Sequence, residues 1–314
     1  MTSSRAPGRA LGLARARARA RAALPALLLL QAGALVGVAR ASVEARLSPE
    51  CRAFLYRGTA PVGLESPSLR RICQRYGGRA RYVTLYDTAD RVPVYSAYTF
   101  KRSDGERRAN APWMFEPQLS ASSGSREMQP MGRGEASRSL EDGQAVLEDY
   151  DDAAGYERGQ LNPDEHQAAP GDKAATYALT NAVPQAREFR AGPWAEQLHA
   201  VRRRLNNYCR GVAYVVTGVT GAGHAIRRQN ADRVAVPACM WSAYCCVDFD
   251  RNAPHEERHK LPAFAHYGLN DRRNNQVSEM PVGKLEEFLK GSTFVEKSFR
   301  IFADDCVPPP SVRP

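Results

Sequence analysis

The stretch from Tyr156 to Trp194 constrains this chain most. It reads YERGQLNP, then YALTNAVPQ, then REFRAGPW opening into a longer apolar-periodic segment. Arg, Gly, Asn and Gln crowd between two apolar runs, which is the composition of a polar site carried on a scaffold. YALTNAVPQ reads as a strand and REFRAGPW leads into a helix.

The flanks read accordingly. RYVTLYDTADRVPVYSAYTFKR contains two strand-like runs, Tyr82–Tyr86 and Val92–Phe100, around the turn Asp87-Thr88-Ala89-Asp90. Upstream, SLRRICQRY places Leu69, Ile72 and Cys73 on one face at helical spacing and predicts a short helix. Residues 119–141 are rich in Ser, Gly and Arg and hold no aromatic residue, which predicts a flexible surface insert rather than core. A short acidic helix is expected over Leu140–Tyr150. Trp194, Leu198, Val201 and Leu205 recur at four, three and four, an amphipathic helix through Tyr208. Gly211–Gly218 and Val234–Val247 predict buried strands, the second broken at its proline. Gly218–Ala225 is glycine-rich but lacks a phosphate-loop lysine, so a hairpin turn is expected there. Gly268–Asn275 predicts a polar turn and Val282–Leu289 a short helix.

The N-terminus has a basic beginning, an apolar run from Ala22 to Ala39 and a small-x-small pattern at Ala39-Arg40-Ala41. That predicts a signal peptide over residues 1–41 and a secreted, extracellular product with no membrane attachment after cleavage; the alternative is an uncleaved anchor, since the apolar run is just long enough to span a bilayer. Seven of the positive charges, all arginine and with no acid among them, lie in residues 1–41, so a net charge of +10 falls to +3 for the remainder. That balance is compatible with a polyanionic partner without requiring one. Apolar residues make up 43% of the chain, enough for a substantial core. The seven cysteines fit no zinc spacing, and in an oxidising compartment they should pair and leave one over. Adjacent Cys245 and Cys246 should each reach elsewhere. A Cys51–Cys306 bridge would tie the two ends of a domain spanning residues 42–306, followed by a tail at 307–314.

ERGQ, LTNAVPQ and RAGPW together resemble the signature of the DNA/RNA non-specific endonucleases, which carry a ββα-metal core. The similarity runs over about residues 48 to 306, and the Tyr82–Phe100 hairpin and Trp113–Gln118 resemble that family's opening sheet. The resemblance implies an α+β fold: a central, mostly antiparallel sheet with a strand–loop–strand–helix core, here disulfide-stapled. It implies Mg²⁺-dependent phosphodiester hydrolysis on DNA or RNA, with a histidine base, an asparagine metal ligand and a glutamate that orients metal-bound water. Laid on this sequence, Glu157 takes an aspartate position, while Arg158 and Gly159 match. Gln160 stands at the base, and Asn181 matches a strand asparagine. Arg190 stands at the metal ligand, Gly192 and Trp194 match, and Leu198 stands at the glutamate.

Three working positions are therefore replaced. A glutamine does not titrate near neutrality and cannot act as base, a change expected to cost on the order of 10²–10⁴ in rate. A guanidinium offers no lone pair to an ion and adds a like charge. Leucine has no polar atom. The catalytic candidates are Glu157, Arg158 and Gln160, and the nucleic-acid-binding candidates are Arg158, Asn181 and Arg190. No metal ligand is assignable, although Asn162 and Asn181 carry suitable oxygens. His166 and His199 are the histidines nearest the motif, expected at the surface. Asp164-Glu165 is expected to be a solvated turn. Arg202-Arg203-Arg204 predicts a solvated face that could also meet phosphates. Two readings follow: an endonuclease-like protein with weak or lost activity, or a catalytically dead protein that binds nucleic acid or phosphate.

Overall fold

The computed structural model describes residues 42–106, 110–151, 153–291 and 295–306. The expected leader at 1–41 and tail at 307–314 lie outside them. Strands are β1 (Leu69–Tyr76), β2 (Arg79–Asp87), β3 (Val92–Thr99), β4 (Met114–Phe115), β5 (Gln129–Pro130), β6 (Tyr156–Gln160) and β7 (Ala182–Ala186). The chain continues with β8 (Ala213–Val219), β9 (Ala222–Arg228), β10 (Ala231–Pro237), β11 (Cys239–Cys246), β12 (Ala263–Leu269) and β13 (Val277–Met280). Helices are α1 (Pro49–Arg52), α2 (Arg138–Gly143), α3 (Pro170–Ala175), α4 (Arg187–Ala191), α5 (Pro193–Tyr208), α6 (His255–Arg258) and α7 (Val282–Lys290).

Seven strands form one sheet in the order β1-β2-β3-β8-β11-β12-β13, every pair antiparallel. Side chains alternate across a strand, and here both faces are apolar. Ala97, Val216, Ala243 and Cys245 belong to a cluster with Leu285, Leu289 and Phe299. Their neighbours Tyr98, Val215, Tyr244 and Cys246 belong to another cluster with Val201 and Leu205 of α5. The sheet is thus the middle of three layers, and the expected α+β fold with a central antiparallel sheet is present. β6 pairs with β7 as a separate antiparallel ribbon. Its Leu161 and Val183 share a third cluster with Phe189, Trp194 and Leu198.

The same alternation settles the disulfides. Cys245 and Cys246 point to opposite faces and so reach different partners: Cys245 bonds Cys306 and Cys246 bonds Cys209. Cys51 bonds Cys73, not Cys306. Cys239 is the free, buried cysteine. The expected Cys51–Cys306 closure is corrected because Cys306 meets one sheet face while Cys51 sits against the edge strand.

Three other expectations change. SLRRICQRY is strand β1, not a helix, because Cys73 pairs with Val83 on one side and residues 42–44 add to its other edge through Cys73 N–H to Ser42 O at 2.7 Å and Glu44 N–H to Arg71 O at 2.9 Å. Pairing on both edges overrides a helical spacing. The 119–141 insert is partly core: Met128 and Met131 are buried, and β5 pairs with β4. Methionine fills irregular gaps without needing an aromatic run. Gly218–Ala225 is not a simple hairpin turn, since β9 leaves the sheet to pair with β10. In contrast, α5 follows its predicted stripe: Trp194, Leu198, Val201 and Leu205 are all buried.

The arginine run on α5 also splits. Arg204 is 4% exposed. Its guanidinium bonds Glu257, Glu279 and the Tyr244 hydroxyl. Arg202 donates to Ser103 O at 3.1 Å, and Arg203 is exposed. Burial would raise the Glu279 carboxyl, but Lys260 and Arg204 outweigh it and hold the pKa at about 2. Arg204→Met leaves Glu257 and Glu279 without their buried partner and should destabilise the fold by about 3 kcal/mol in urea unfolding. The Glu279 contribution is present above its unfolded value of about 4.3 and is lost as pH falls toward 2, so the wild-type advantage over the variant should shrink across that window.

Candidate functional site

β6, the turn that leads into β7, α4 and the start of α5 hold the residues singled out by the motif. In register, Glu157 faces Gln185, Arg158 faces Pro184, Gly159 faces Val183 and Gln160 faces Ala182. Gly159 is required by contact: a Cβ there would lie 2.1 Å from Gln185 Oε1. Asn270 ties the ribbon down. Its amide donates to Pro184 O and to Pro237 O, each at 2.9 Å, and accepts from Ala186 N at 2.7 Å. The polar turn read from sequence gave no hint of that role.

Glu157 sits in an arginine pair. Its carboxylate meets Arg187 Nε at 3.0 Å and Arg190 Nη1 at 2.8 Å. Arg187 is largely exposed, and Arg190 and Glu157 are about one-third exposed. Alternation along β6 puts Arg158 and Gln160 on the face away from Glu157. Arg158 lies over the Trp113 ring at 5.0 Å and the Tyr150 ring at 5.7 Å, and burial lowers its pKa. The guanidinium stays charged, since arginine titrates far above neutrality. Trp113 in turn meets Tyr177 edge-on at 5.5 Å. Arg158 on β6 and Arg190 on α4 therefore lie toward opposite faces of the ribbon, not at one point.

Gln160 is locked. Its Nε2 donates to Thr176 Oγ1 at 2.9 Å, and its Oε1 accepts from Asp164 N at 3.4 Å. Glu157 and Gln160 are three residues apart on a strand, roughly 10 Å, so Arg190 and Gln160 mark opposite ends of the site. Leu198 lies in the core with Phe189 and Trp194, 5% exposed, and does not face them.

Asn181 is a structural hub. It is 0% exposed. Its Nδ2 donates to Asn162 O and Thr176 O, and its Oδ1 accepts from Asn162 N and Ser96 Oγ, all between 2.8 and 3.0 Å. Every hydrogen-bonding position is spent inside the protein, which corrects the expectation that it touches nucleic acid. Asn162 is also buried, its Oδ1 accepting from Gln167 at 3.0 Å.

Asp164, Glu165 and His166 are likewise buried rather than solvated. The Tyr177 hydroxyl donates to Asp164 at 2.8 Å, and His199 Nδ1 lies 2.8 Å from Glu165. His166 Nε2 donates to Leu198 O at 3.2 Å, so Nδ1 accepts from the Tyr98 hydroxyl at 2.9 Å. Burial pushes its pKa down to about 4. A single-turn loop buried under β3 has no periodic signature, which is why the sequence read as solvated.

This donor set does not suit a divalent cation. Mg²⁺ takes hard oxygen ligands. The Glu157 carboxylate is held by two arginines, and the Asn162 and Asn181 oxygens are committed elsewhere. Among the described residues, no three His, Cys, Asp or Glu side chains are gathered as ion ligands.

Residues 70–300 match the family model described as DNA/RNA non-specific endonuclease, and the chain belongs to that family. It is similar to endonuclease domain-containing 1 protein of Homo sapiens, 36% identical over 204 residues, and to that of Mus musculus, 34% identical over the same length. Each alignment covers 63% of this chain and 39% of the relative, so the chain spans well under half the length of those proteins. A solved complex of EndoG with EndoGI, on the mechanism of EndoG inhibition, covers 67% of this chain and 81% of that one at 19% identity and a TM-score of 0.46.

Two outcomes check this geometry. Asn181→Ala strips partners from Ser96, Asn162 and Thr176 at once and should cost about 2–4 kcal/mol in urea unfolding, far beyond a surface asparagine. His166 is neutral in the fold and protonates in the unfolded chain below about pH 6.5. Its contribution is thus complete above that value and falls by up to about 3 kcal/mol as pH drops toward 4. The stability of His166→Gln should fall less steeply than wild type between pH 6.5 and 4.

Proposed function

We propose that this chain binds the phosphate backbone of DNA or RNA without metal-dependent hydrolysis. The observation that carries the reading is the Arg190–Glu157 pair at 2.8 Å, standing where the family places its metal ligand. With Arg187, it leaves two guanidinium groups against one carboxylate, a fixed net positive charge on the face of β6 opposite the half-buried Arg158. Guanidinium forks hold phosphate oxygens through charge-assisted hydrogen bonds and need no ion to do so. At the other end of β6, Gln160 has no proton-accepting role to play and its amide is spent on Thr176 and Asp164. Binding residues are Arg158, Arg187 and Arg190, with Trp113 orienting Arg158.

Three disulfides are the product of an oxidising compartment, which fits an extracellular protein. Among the described residues no helix is long and apolar enough to cross a membrane. Secretion through the N-terminal segment remains part of the proposal.

The wild-type chain should show no cleavage of plasmid or RNA with Mg²⁺ above a buffer blank. Restoring Gln160→His with Arg190→Asn should give detectable cleavage; Leu198→Glu is left out because it would bury a carboxylate in the core. Robust wild-type cleavage that depends on Mg²⁺ would reject the reading. Arg190→Ala should weaken binding to a short oligonucleotide about tenfold by gel shift at fixed salt, the loss of one charge-assisted hydrogen bond; unchanged affinity would remove Arg190 from the binding role.

A further inference from the structure

Ser42, the residue that would begin the chain after cleavage at the small-x-small pattern Ala39-Arg40-Ala41, is 0% exposed in the full chain, whereas chain termini are ordinarily loose and exposed. Its backbone N–H donates to Gln118 Oε1 at 2.6 Å. Its hydroxyl donates to Glu116 Oε1 at 2.5 Å and reaches Gln118 Oε1 at 3.0 Å. Val43 N–H adds a third contact to that same amide oxygen at 3.3 Å. Glu116 is equally buried, and its own backbone is clamped: Gln144 accepts from Glu116 N–H at 2.9 Å and donates to Glu116 O at 2.7 Å.

One atom in this arrangement lacks a partner. Glu116 Oε2 is buried with no hydrogen bond among the described residues. An unsatisfied buried carboxylate oxygen is costly and calls for an explanation. Burial pushes the Glu116 pKa up to about 7, against the lowering effect of Ser42 and Gln118. Glu127 and the buried Tyr82 are the other titratable groups coupled to it, and neither brings positive charge.

We propose that hydrolysis of the Ala41–Ser42 peptide bond delivers the new Ser42 α-ammonium into a receptor already built for it, the Glu116 carboxylate with Gln118. The endopeptidase required takes small residues on the acyl side. Water adds across the bond, Ala41 leaves as a carboxylate, and the Ser42 amine takes a proton. An amide offers one N–H, already given to Gln118, whereas an ammonium offers three, so the additional donors can satisfy Glu116 Oε2. Ser42 N and Oγ are about 3 Å apart, and Oγ already touches this carboxylate. Glu116 lies three residues from Trp113, the ring under Arg158, so the lock also fixes one wall of the site.

The test compares a protein beginning at Ser42 with one carrying a single extra alanine before it. The free-Ser42 form should melt on the order of 5 °C higher at pH 6.5. Its α-amine, with a pKa raised in the fold, contributes fully below the unfolded value of about 8. The advantage should therefore fade as pH rises above that value. Equal melting of the two forms across pH 6–9 would overturn the proposal. Glu116→Gln should erase the difference between free and extended forms, and a difference that survives it would also overturn the proposal. Should Glu116→Gln fail to fold, the pH profile of the wild-type pair decides alone: an advantage flat from pH 6 to 9 contradicts an ammonium lock.

Discussion

Arg190 and Glu157, 2.8 Å apart, set the limits on what this ribbon can do. An acidic side chain that could have faced an ion is turned to arginine, and a second arginine, Arg187, shares it. A divalent cation brought to this carboxylate would meet two fixed positive charges. Each like-charge contact near 4 Å costs about 4 kcal/mol per unit charge at a near-surface dielectric. The same two guanidinium groups suit a phosphate for the reason they repel a metal. The interaction is local, and the proposed metal-free phosphate binding rests on it.

The frame around that pair is held tightly. Asn270 bolts β7 to the β10–β11 corner through three hydrogen bonds. Asn181 joins the loop after β6 to β3 and to the end of α3. Gln185 crosses Gly159, which only glycine allows. These buried amides leave the ribbon little freedom to rearrange around an ion, since moving one side chain would orphan several partners. A scaffold can thus be retained in full while its chemistry changes, because the groups that fold the site and the groups that would react are different residues.

The same separation explains what was legible from sequence. Elements with a strong period appeared where they were read: the Tyr82–Phe100 hairpin, the stripe of α5, and the strand–loop–strand–helix unit itself. The matches at Arg158, Gly159, Asn181 and Trp194 located the ribbon. Leu198 read as a core leucine and is one. What escaped was set by tertiary partners. β1 carries a helical spacing but is paired on both edges. Asp164, Glu165 and His166 are polar in sequence and buried in space, since their partners Tyr177, His199 and Tyr98 are distant along the chain or invisible as a pattern. The role of Asn270 needs two carbonyls from two other strands, and no motif records that. Cys245 and Cys246 could be told apart only after their strand was known to lie in the centre of a two-faced sheet.

The central claim is that guanidinium charge has replaced a metal ion. It is tested most directly by the affinity of the wild-type chain for a short oligonucleotide, measured at matched ionic strength in EDTA and in millimolar Mg²⁺. The account predicts equal affinity in both, with a steep loss as monovalent salt rises, since the contacts are to phosphates. Binding that collapses in EDTA and returns with Mg²⁺ would contradict it.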